Sequence, residues 1–335
     1  MIITRAPLRI TLGGGGTDLP SYYSQYGGFL VAAGINRYST ITANKRFYDN
    51  IRLSYSKTEI CDSVDAIEHR IFKAALKLTG VSKNIELHST AEVPSNSGLG
   101  SSSSFTVALL QALHTYKGEV INKRELAEEA CRIEIDTLGE PIGKQDQYMA
   151  AFGGFTCLTF EKNGEVLVEP LRITDESFDQ LESNLLFFFT GKERNASEIM
   201  KEQDDKSKNN DVAMANNLHQ VKEIGLATRK YLENGQIDML GELLDTHWTI
   251  KKQRSDKMSD PFIDECYDVA RRHGAIGGKL MGAGGGGFFM FYCKNDEKNK
   301  VSEALKKMGL RRERFHVDWD GSRVLLNTEQ SINVI

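Results

Sequence analysis

Three glycine-rich segments, spaced along the chain, constrain its fold more than any other feature of the sequence. They lie at 13–16, 98–100 and 282–287, and each borders a stretch with the pattern of a strand or a helix. Glycine lets the backbone adopt conformations closed to other residues and approach a ligand closely, but it costs conformational entropy where no such need exists. The three segments therefore predict three places at which backbone lies against a bound group.

The middle segment reads Pro94-Ser-Asn-Ser-Gly-Leu-Gly-Ser-Ser-Ser-Ser104 and is followed by a helical pattern over 101–116. Backbone N–H groups of such a turn can converge on an anion, and the N-terminus of the helix adds positive potential. Serine hydroxyls in the first helical turn can bind phosphate oxygens or a magnesium ion. The pattern Gly-x4-Gly-Lys-[Ser/Thr] occurs nowhere in the chain, so this phosphate site would lack that lysine. A polar loop with a serine N-cap is the alternative that this segment alone leaves open.

The last segment, Lys279-Leu-Met-Gly-Ala-Gly-Gly-Gly-Gly-Phe288, formally contains the pattern Gly-x-Gly-x-x-Gly. A dinucleotide-binding motif of that form follows a strand and opens a helix near the start of a βαβ unit. Here a strand follows, and the motif lies late in the chain, so a dinucleotide-dependent oxidoreductase is the least favoured class of enzyme. A flexible turn is the other explanation, although four consecutive glycines exceed what a turn requires.

In the first segment, a predicted strand ends at four glycines, which are followed by Thr17 and Asp18. A carboxylate on such a turn suits hydrogen bonds to sugar hydroxyls. From this stretch alone, an Asx-turn in which Asp18 caps its own loop is an equally good explanation.

A chain of 335 residues is longer than one ordinary core supports, which predicts two domains with a cleft between them. A polar stretch near 175–184 gives the predicted boundary, with domains at 1–180 and 181–335. Mixed strand and helix patterns predict an α+β fold, and the second half resembles a ferredoxin-like sandwich. The elements predicted there are strands at 185–190, 288–293 and 314–319, helices at 213–234, 237–253, 260–273 and 297–308, and a solvated helix or loop at 201–210.

Composition excludes several classes of function. The net charge of -4, with acidic and basic residues interspersed, offers no surface for nucleic acid or an anionic membrane. The five scattered cysteines never form a Cys-x-x-Cys pair, so neither a zinc site nor a disulfide framework is expected. We find no signal-peptide pattern and no apolar run near the roughly 18 residues of a membrane span. We therefore expect a cytoplasmic protein in which any anionic ligand needs a local basic pocket.

One carboxylate falls on the apolar face of a predicted helix. That helix begins after Asn122, with Glu125 placed for a capping box, and Glu134 lies on its apolar stripe. A charged group on a buried face needs a partner, because an unpaired buried charge is costly. An internal salt bridge would supply one. A second acidic residue, Asp146, opens the next predicted helix, where N-capping would explain it.

In order and spacing, the three glycine segments together resemble the three motifs of the GHMP kinases, the family of galactokinase and the homoserine, mevalonate and phosphomevalonate kinases. The specific pattern Pro-x3-Gly-Leu-Gly-Ser-Ser is complete at 94–102. The resemblance implies an N-terminal domain of the ribosomal-protein-S5 domain 2 type, a ferredoxin-like C-terminal domain, and ATP and Mg²⁺ as cofactors. The ATP phosphates would then be held by Ser97, Gly98, Leu99, Gly100, Ser101, Ser102, Ser103 and Ser104.

The resemblance also implies roles for the remaining candidates. Glu134 matches the acidic magnesium ligand of the family, and Ser102 matches the serine that joins it. Asp146 matches the aspartate that orients or deprotonates the acceptor hydroxyl, and Lys144 could stabilise the transferring phosphoryl group. The predicted substrate-binding residues are Arg9, Gly15, Thr17, Asp18, Arg194, Gly282, Gly284 and Gly285.

Two segments resemble one branch of the family, the D-glycero-D-manno-heptose 7-phosphate kinases. They are Gly-Gly-Gly-Gly-Thr-Asp-Leu-Pro at 13–20 and Gly-Lys-Gln-Asp-Gln at 143–147, whereas the Gly-Glu-His-Thr-Asp motif of galactokinases is absent. The branch implies phosphorylation of the anomeric hydroxyl of a phosphorylated sugar, giving a heptose 1,7-bisphosphate for nucleotide-activated heptose and surface polysaccharide. The alternatives are a fucokinase-like or mevalonate-type kinase and, in another class, a non-catalytic sensor of ATP and sugar.

A phosphorylated sugar would need cations for its own phosphate group. Arginine suits this task because its planar fork binds phosphate bidentately. Arg194 is the preferred residue, since it directly follows the turn after the strand at 185–190. The full set of candidates is Arg9, Lys192, Arg194, Lys251, Lys252 and Arg254.

Overall fold

The computed structural model describes residues 1–192, 196–209 and 211–328, so Arg194 lies outside the described residues. The strands are β1 Ile2–Gly13, β2 Gly28–Lys45, β3 Ile51–Ser54, β4 Thr58–Cys61, β5 Ile85–Ala91, β6 Phe155–Phe160, β7 Val166–Pro170, β8 Leu185–Phe189, β9 Ala275–Leu280, β10 Phe288–Cys293, β11 Arg311–Glu313 and β12 Arg323–Asn327. The helices are α1 Pro20–Tyr26, α2 Arg70–Thr79, α3 Ser101–Tyr116, α4 Lys123–Cys131, α5 Gln145–Phe152, α6 Asp175–Asn184, α7 Ala196–Lys208, α8 Val212–Glu233, α9 Met239–Lys252, α10 Pro261–Arg272 and α11 Lys298–Lys307. A 3₁₀ turn at Val64–Ala66 and a π-helical turn at Arg132–Thr137 complete these elements.

Strand β2 organises the first sheet, because its 18 residues pair with three different strands. It runs antiparallel to β1 along most of its length, to β6 through 28–33 and to β5 through 39–45. The order across the sheet is β12-β1-β2-β5-β3-β4, and β6 and β7 branch from β2. Helix α3 packs against β1 and β2, and it shares one hydrophobic core with α2, α4 and α5.

The second sheet is antiparallel, with the order β11-β8-β10-β9. Its central strand β10 is apolar throughout, and every one of its residues is buried, as expected for a strand covered on both faces. One face packs against α10 and α11. On the other face Phe288 and Met290 share a core with Leu8 and Ile10 of β1. The two sheets are therefore in direct contact along β1.

The last strand of the chain does not lie where the sequence predicted it. Residues 314–319 form no strand, and only an isolated bridge joins Ile35 to Val317. The last strand is β12, which pairs with β1 and so covers an edge of the first sheet that would otherwise expose unpaired backbone groups. The chain returns to the first sheet after β11, so the end of the segment predicted as a second domain, 181–335, pairs with a strand of the first. The charged stretch near 201–208 is helical, within α7.

The structure also bears on the expectations from cysteine content and hydropathy. All five cysteines are buried and unpaired. Burial raises the pKa of each thiol, which does not suit a nucleophile. Among the described helices, none has both the length and the apolar character needed to cross a bilayer.

Candidate active site

The three glycine segments, far apart in sequence, meet at one cleft. This cleft of about 500 Å³ is lined by Gly16 of the first segment, Gly98 and Gly100 of the second and Gly282 of the third. The second and third segments touch, since a Cβ added at Gly98 would lie 2.7 Å from the Met281 carbonyl oxygen and one at Gly282 would lie 2.5 Å from the Gly98 Cα. Both glycines have positive φ, 81° and 63°, so side chains are excluded from this contact by conformation as well as by space.

The middle segment forms a glycine turn at the start of a helix, in a geometry that suits an anion. Gly100, with a φ of 77°, directly precedes α3, and residues 101–103 in the first turn of that helix line the cleft. The first turn of a helix has N–H groups without intrahelical partners and carries the positive end of the helix dipole. The cleft therefore meets α3 at the end that favours phosphate. The hydroxyl of Ser104 donates instead to the carbonyl of Ala6, so it supports the turn from behind.

Glu134 and Ser102 lie side by side at the cleft. Helix α4 continues into the π-helical turn that carries Glu134, and such turns occur often at functional sites. The Glu134 carboxylate is 1% exposed and accepts hydrogen bonds from Ser102 Oγ at 2.8 Å and Gln147 Nε2 at 2.7 Å. Within the described part of the chain it forms no ion pair, so the internal salt bridge considered from the sequence is not what holds it. Burial raises the pKa of Glu134, and its hydrogen bonds act in the opposite direction.

These two side chains suit a divalent metal ion that is shared with a nucleotide. A hydroxyl and a carboxylate supply oxygen, the ligand atom that Mg²⁺ prefers, and Mg²⁺ in phosphate-transfer sites usually takes one or two protein ligands. A cation beside Glu134 would offset the cost of burying its charge. In residues 1–192, 196–209 and 211–328, no group of three or more His, Cys, Asp and Glu side chains could hold a metal by itself.

Asp146, in the first turn of α5, is held firmly on one side and remains accessible on the other. The Arg9 guanidinium donates to both of its oxygens, Nε to Oδ1 at 2.7 Å and Nη2 to Oδ2 at 2.9 Å, and Gln145 Nε2 donates to Oδ1 at 3.0 Å. The Asp146 side chain is 26% exposed, whereas that of Arg9 is 8% exposed. Arg9 Nη1 also donates to the carbonyl oxygen of Gly98 at 2.7 Å, which ties the aspartate to the middle glycine segment. Asp146 does not cap its helix, because Lys144 occupies that position.

The first glycine segment is stabilised by Asp18. Its carboxylate accepts the N–H groups of Gly16 and Gln145, each at 3.1 Å, so it caps its own turn and also ties that turn to α5. Burial above all, and the charge of Asp146 after it, raises the pKa of Asp18. Asp18 and Gly15 both line the cleft, and each carboxylate oxygen keeps a second lone pair for a further donor.

Two of the predicted site residues are used elsewhere in the structure. Thr17 is fully buried, and its hydroxyl oxygen lies 2.8 Å and 2.9 Å from the carbonyl oxygens of Gly14 and Phe29, so it stabilises the turn and does not line the cleft. The Lys144 ammonium points away from the cleft and binds the Glu128 carboxylate at 3.2 Å. The sequence showed which residues were polar but not the direction in which these two side chains point.

Four further predicted residues lie beside the cleft without lining it. Gly284 and Gly285 pack against Met258, and the N–H of Gly285 donates to the carbonyl oxygen of Met258 at 2.9 Å. Leu99 is in the hydrophobic core, and Ser97 is fully buried behind the turn. These residues shape the two glycine turns, while Gly282 alone of the third segment's predicted residues reaches the cleft.

A set of buried basic side chains forms another wall of the cleft. His247 and Lys251 come from α9, Arg254 follows that helix, and Lys279 comes from β9; all four line the cleft. None is more than 6% exposed. Burial, together with neighbouring positive charges, lowers the pKa of His247 and of both lysines well below their usual values. Burial likewise lowers the pKa of Arg254 to about 10, with the Asp18 charge acting against it.

The sequence analysis named two of these cations, Lys251 and Arg254, and missed Lys279. A signal for Lys279 exists, because it is the one charged residue of β9 and lies three residues before the third glycine segment. A lysine in an otherwise uncharged strand either marks the end of the buried segment or belongs to a functional site.

A glycine turn that suits phosphate but has no lysine, a hydroxyl–carboxylate pair that suits Mg²⁺ and an arginine-held aspartate are together typical of a small-molecule kinase distinct from the P-loop enzymes. Comparison with family models agrees: the GHMP kinases N terminal domain matches residues 64–154, and the GHMP kinases C terminal domain matches 228–310. The chain belongs to the GHMP kinase family, whose members use ATP, generally with a divalent metal ion.

Within the family, the chain is similar to kinases that act on sugars. It is 33% identical to a D-glycero-alpha-D-manno-heptose 7-phosphate kinase of Campylobacter jejuni, over 91% of this chain and 93% of that one. The crystal structure of a D-glycero-D-manno-heptose 1-phosphate kinase from Bacteroides thetaiotaomicron superposes with a TM-score of 0.81 at 26% identity, covering 98% and 99% of the two chains. A Lactococcus lactis galactokinase, crystallised with galactose, shares the fold at a TM-score of 0.75 and 20% identity, over 96% and 94%. The protein is an ATP-dependent sugar kinase with the two-part α+β fold of its family.

Proposed function

We propose that the protein transfers the γ-phosphoryl group of Mg·ATP to the anomeric hydroxyl of D-glycero-D-manno-heptose 7-phosphate and forms the 1,7-bisphosphate. The likeness to heptose phosphate kinases supports the substrate class. The position of Asp146 supports the chemistry, because its carboxylate is partly open to the cleft and lies directly against Gly100 of the anion-binding turn. Such a product would supply nucleotide-activated heptose for surface polysaccharide.

Asp146 orients the acceptor hydroxyl and takes its proton. The sugar oxygen attacks the γ-phosphorus and the bond from that phosphorus to the β–γ bridging oxygen breaks, so ADP leaves while the hydroxyl proton passes to the Asp146 carboxylate. Phosphoryl transfer demands mainly positioning and charge stabilisation from a protein. Arg9 contributes positioning, since its three nitrogens link both oxygens of Asp146 to the Gly98 carbonyl of the phosphate turn.

The other residues of the cleft divide into a nucleotide side and a sugar side. Ser102 and Glu134 would hold Mg²⁺, which would neutralise part of the phosphate charge. The backbone of 98–103 would bind the ATP phosphates at the start of α3. Asp18 and Gly15, on the first glycine turn, would hold sugar hydroxyls next to Asp146.

The substrate is tested by coupled ADP release with Mg·ATP over a panel of acceptors. The panel contains D-glycero-D-manno-heptose 7-phosphate, the corresponding 1-phosphate, mannose 6-phosphate, fucose, galactose and mevalonate. We expect the 7-phosphate to have the highest kcat/KM and its product to carry a second phosphate on the anomeric carbon, visible by ³¹P NMR. Preference for the 1-phosphate or for an unphosphorylated acceptor would refute the proposed substrate, and no turnover of any acceptor would favour the sensor.

The catalytic assignment is tested with Asp146→Asn, which keeps the shape of the side chain and removes its ability to accept a proton. Loss of a positioned general base lowers kcat by ~10²–10⁴-fold. Asp136→Asn is the matched control, because Asp136 is an exposed carboxylate that does not line the cleft. Wild-type turnover by the Asp146 variant would remove this residue from the mechanism.

A further inference from the structure

Three cations of the cleft lack a carboxylate partner. Arg9 is neutralised by Asp146, but Lys251, Arg254 and Lys279 form no ion pair with any described residue. Their exposed fractions are only 6%, 4% and 3%. Charged side chains are almost never buried to this extent unless they are paired or bind something.

Neutral groups satisfy the hydrogen-bonding geometry of these side chains without balancing their charge. The Lys251 ammonium donates to the carbonyl oxygens of Leu280 and Gly282, and the Lys279 ammonium donates to that of Leu12 at 3.2 Å. Lys279 also lies 3.1 Å from His247 Nδ1, which accepts from it. Each ammonium therefore keeps a third proton, and the positive charges remain close to one another.

Arg254 is held in the same way by neutral partners. Its Nε donates to Asn217 Oδ1 at 2.9 Å, while Nη1 and Nη2 make only long contacts of 3.4 Å, both to the Gly15 carbonyl oxygen and Nη1 also to Gln203 Oε1. A Cβ added at Gly16 would lie 2.7 Å from Arg254 Nη1. The guanidinium can therefore occupy this position at the cleft because residue 16 is a glycine. The Nη1 and Nη2 groups of Arg254 therefore make only weak hydrogen bonds beside the first glycine turn and can donate to a ligand there.

We propose that Lys251, Arg254 and Lys279 bind the phosphate group that the sugar substrate already carries. This inference rests on the proposed function and adds the specificity site to it. A phosphate dianion would offset most of the positive charge of the three cations, and the planar guanidinium of an arginine can bind two of its oxygens. The preferred sequence candidate, Arg194, is not needed for this assignment.

The cluster lies toward the sugar side of the cleft. Arg254 contacts Gly15 in the first glycine turn, and Lys279 contacts Leu12 at the end of β1, just before that turn. That turn carries Asp18, which is bonded to α5 next to Asp146. The ATP phosphates have their own site at the start of α3, so the cluster is left for a second anion.

The test replaces each cation by methionine, which keeps length and removes charge: Lys251→Met, Arg254→Met and Lys279→Met. For each variant, kcat and KM are measured with heptose 7-phosphate, with unphosphorylated heptose and with ATP. Losing one charge-assisted contact should raise KM for the sugar phosphate about 10- to 100-fold. The preference for phosphorylated over unphosphorylated sugar should fall by the same factor, with KM for ATP changed less than about twofold.

Lys252→Met is the matched control. Lys252 adjoins Lys251 in sequence, but its ammonium is partly exposed and pairs with Asp264 at 3.2 Å. A second readout does not require turnover: mannose 6-phosphate should raise the melting temperature of the wild type and of the Lys252 variant more than mannose does. That difference should vanish in the three cluster variants, and Arg254→Lys should restore part of it.

The outcomes separate the two proposals. If the wild type phosphorylates heptose 7-phosphate and the three variants keep its KM and its preference over unphosphorylated heptose, the cluster assignment is wrong and the proposed function stands. If the wild type prefers an unphosphorylated sugar and gains no stability from mannose 6-phosphate, both proposals fail. If turnover is absent but the phosphate-dependent stabilisation is lost in the variants alone, the cluster stands without the proposed reaction.

Discussion

Replacing Glu134 by glutamine should stabilise the metal-free protein while removing most of its activity. Glutamine has the shape of glutamate, so the buried site need not repack. Its amide oxygen can accept the hydrogen bond of Gln147, and its NH₂ can donate to Ser102 Oγ, since a hydroxyl serves as donor or acceptor. The substitution therefore changes charge and leaves the hydrogen bonds in place.

The sign of the stability change follows from the raised pKa of Glu134. Burial makes the folded state favour the neutral carboxyl, so the stability that this group contributes is fully present below its ordinary pKa of 4.5 and is lost as the pH rises through the folded value. Wild-type protein with an ionised Glu134 lacks this stability, whereas the glutamine variant is neutral at this position and does not lose it. After the compensating hydrogen bonds, we expect a gain of about 1–2 kcal/mol, or a few degrees in melting temperature.

Thermal unfolding in chelator at pH 8 and ADP release over a Mg²⁺ titration measure the two effects. Loss of a metal-ligating carboxylate should lower kcat at least ~100-fold and raise the Mg²⁺ concentration needed for half-maximal rate. Asp136→Asn, in the same π-helical turn but exposed, should change neither. A Glu134→Gln variant that melts lower than wild type and retains its Mg²⁺ dependence would refute the reasoning.

Three further results are expected. Arg9→Lys should lower kcat about 100-fold and the free energy of unfolding by about 1–3 kcal/mol, because lysine cannot bind both oxygens of Asp146 and reach Gly98 as well; wild-type ADP release would contradict this. Thr17→Val should cost about 1–2 kcal/mol in urea unfolding while leaving KM for the sugar unchanged, and the reverse pattern would return Thr17 to the binding site. Because burial lowers the pKa of Lys279, the unfolded chain binds more protons between that lowered value and 10.5, so stability should rise with pH across this window. Lys279→Met should flatten that rise in urea unfolding measured at a series of pH values, and an unchanged slope would show that another group is responsible.

The local features of the site could be predicted because they depend on neighbours in sequence. Asn122 caps α4 through the Glu125 N–H at 3.0 Å, and helical periodicity placed Glu134 on a buried face. The hairpin of β6 and β7 forms around Asn163-Gly164, a dipeptide that is typical of tight turns. In each case a turn residue or an apolar repeat acts within a few positions of itself.

The features that were missed depend on contacts between distant segments. Thr17 and Lys144 are polar residues beside glycines, and only the packing of β2 and α4 decides that they bond to Phe29 and Glu128. The return of β12 to β1 joins residues more than 300 positions apart, which no local pattern encodes. The burial of Lys279 likewise depends on α9 and β1 closing over β9.

The two ends of the cleft carry unbalanced charges of opposite sign, and each charge would be balanced by a ligand bound beside it. Glu134 is a buried anion beside Ser102 at the start of α3, whereas Lys251 and Lys279 are buried cations beside Gly282 and Leu12. Each costs folding free energy in the free protein, and a cation at one end with an anion at the other would recover that cost on binding. Arg9 and Asp146 lie between the two ends and are already paired, so the reacting centre stays positioned whichever ligand binds first.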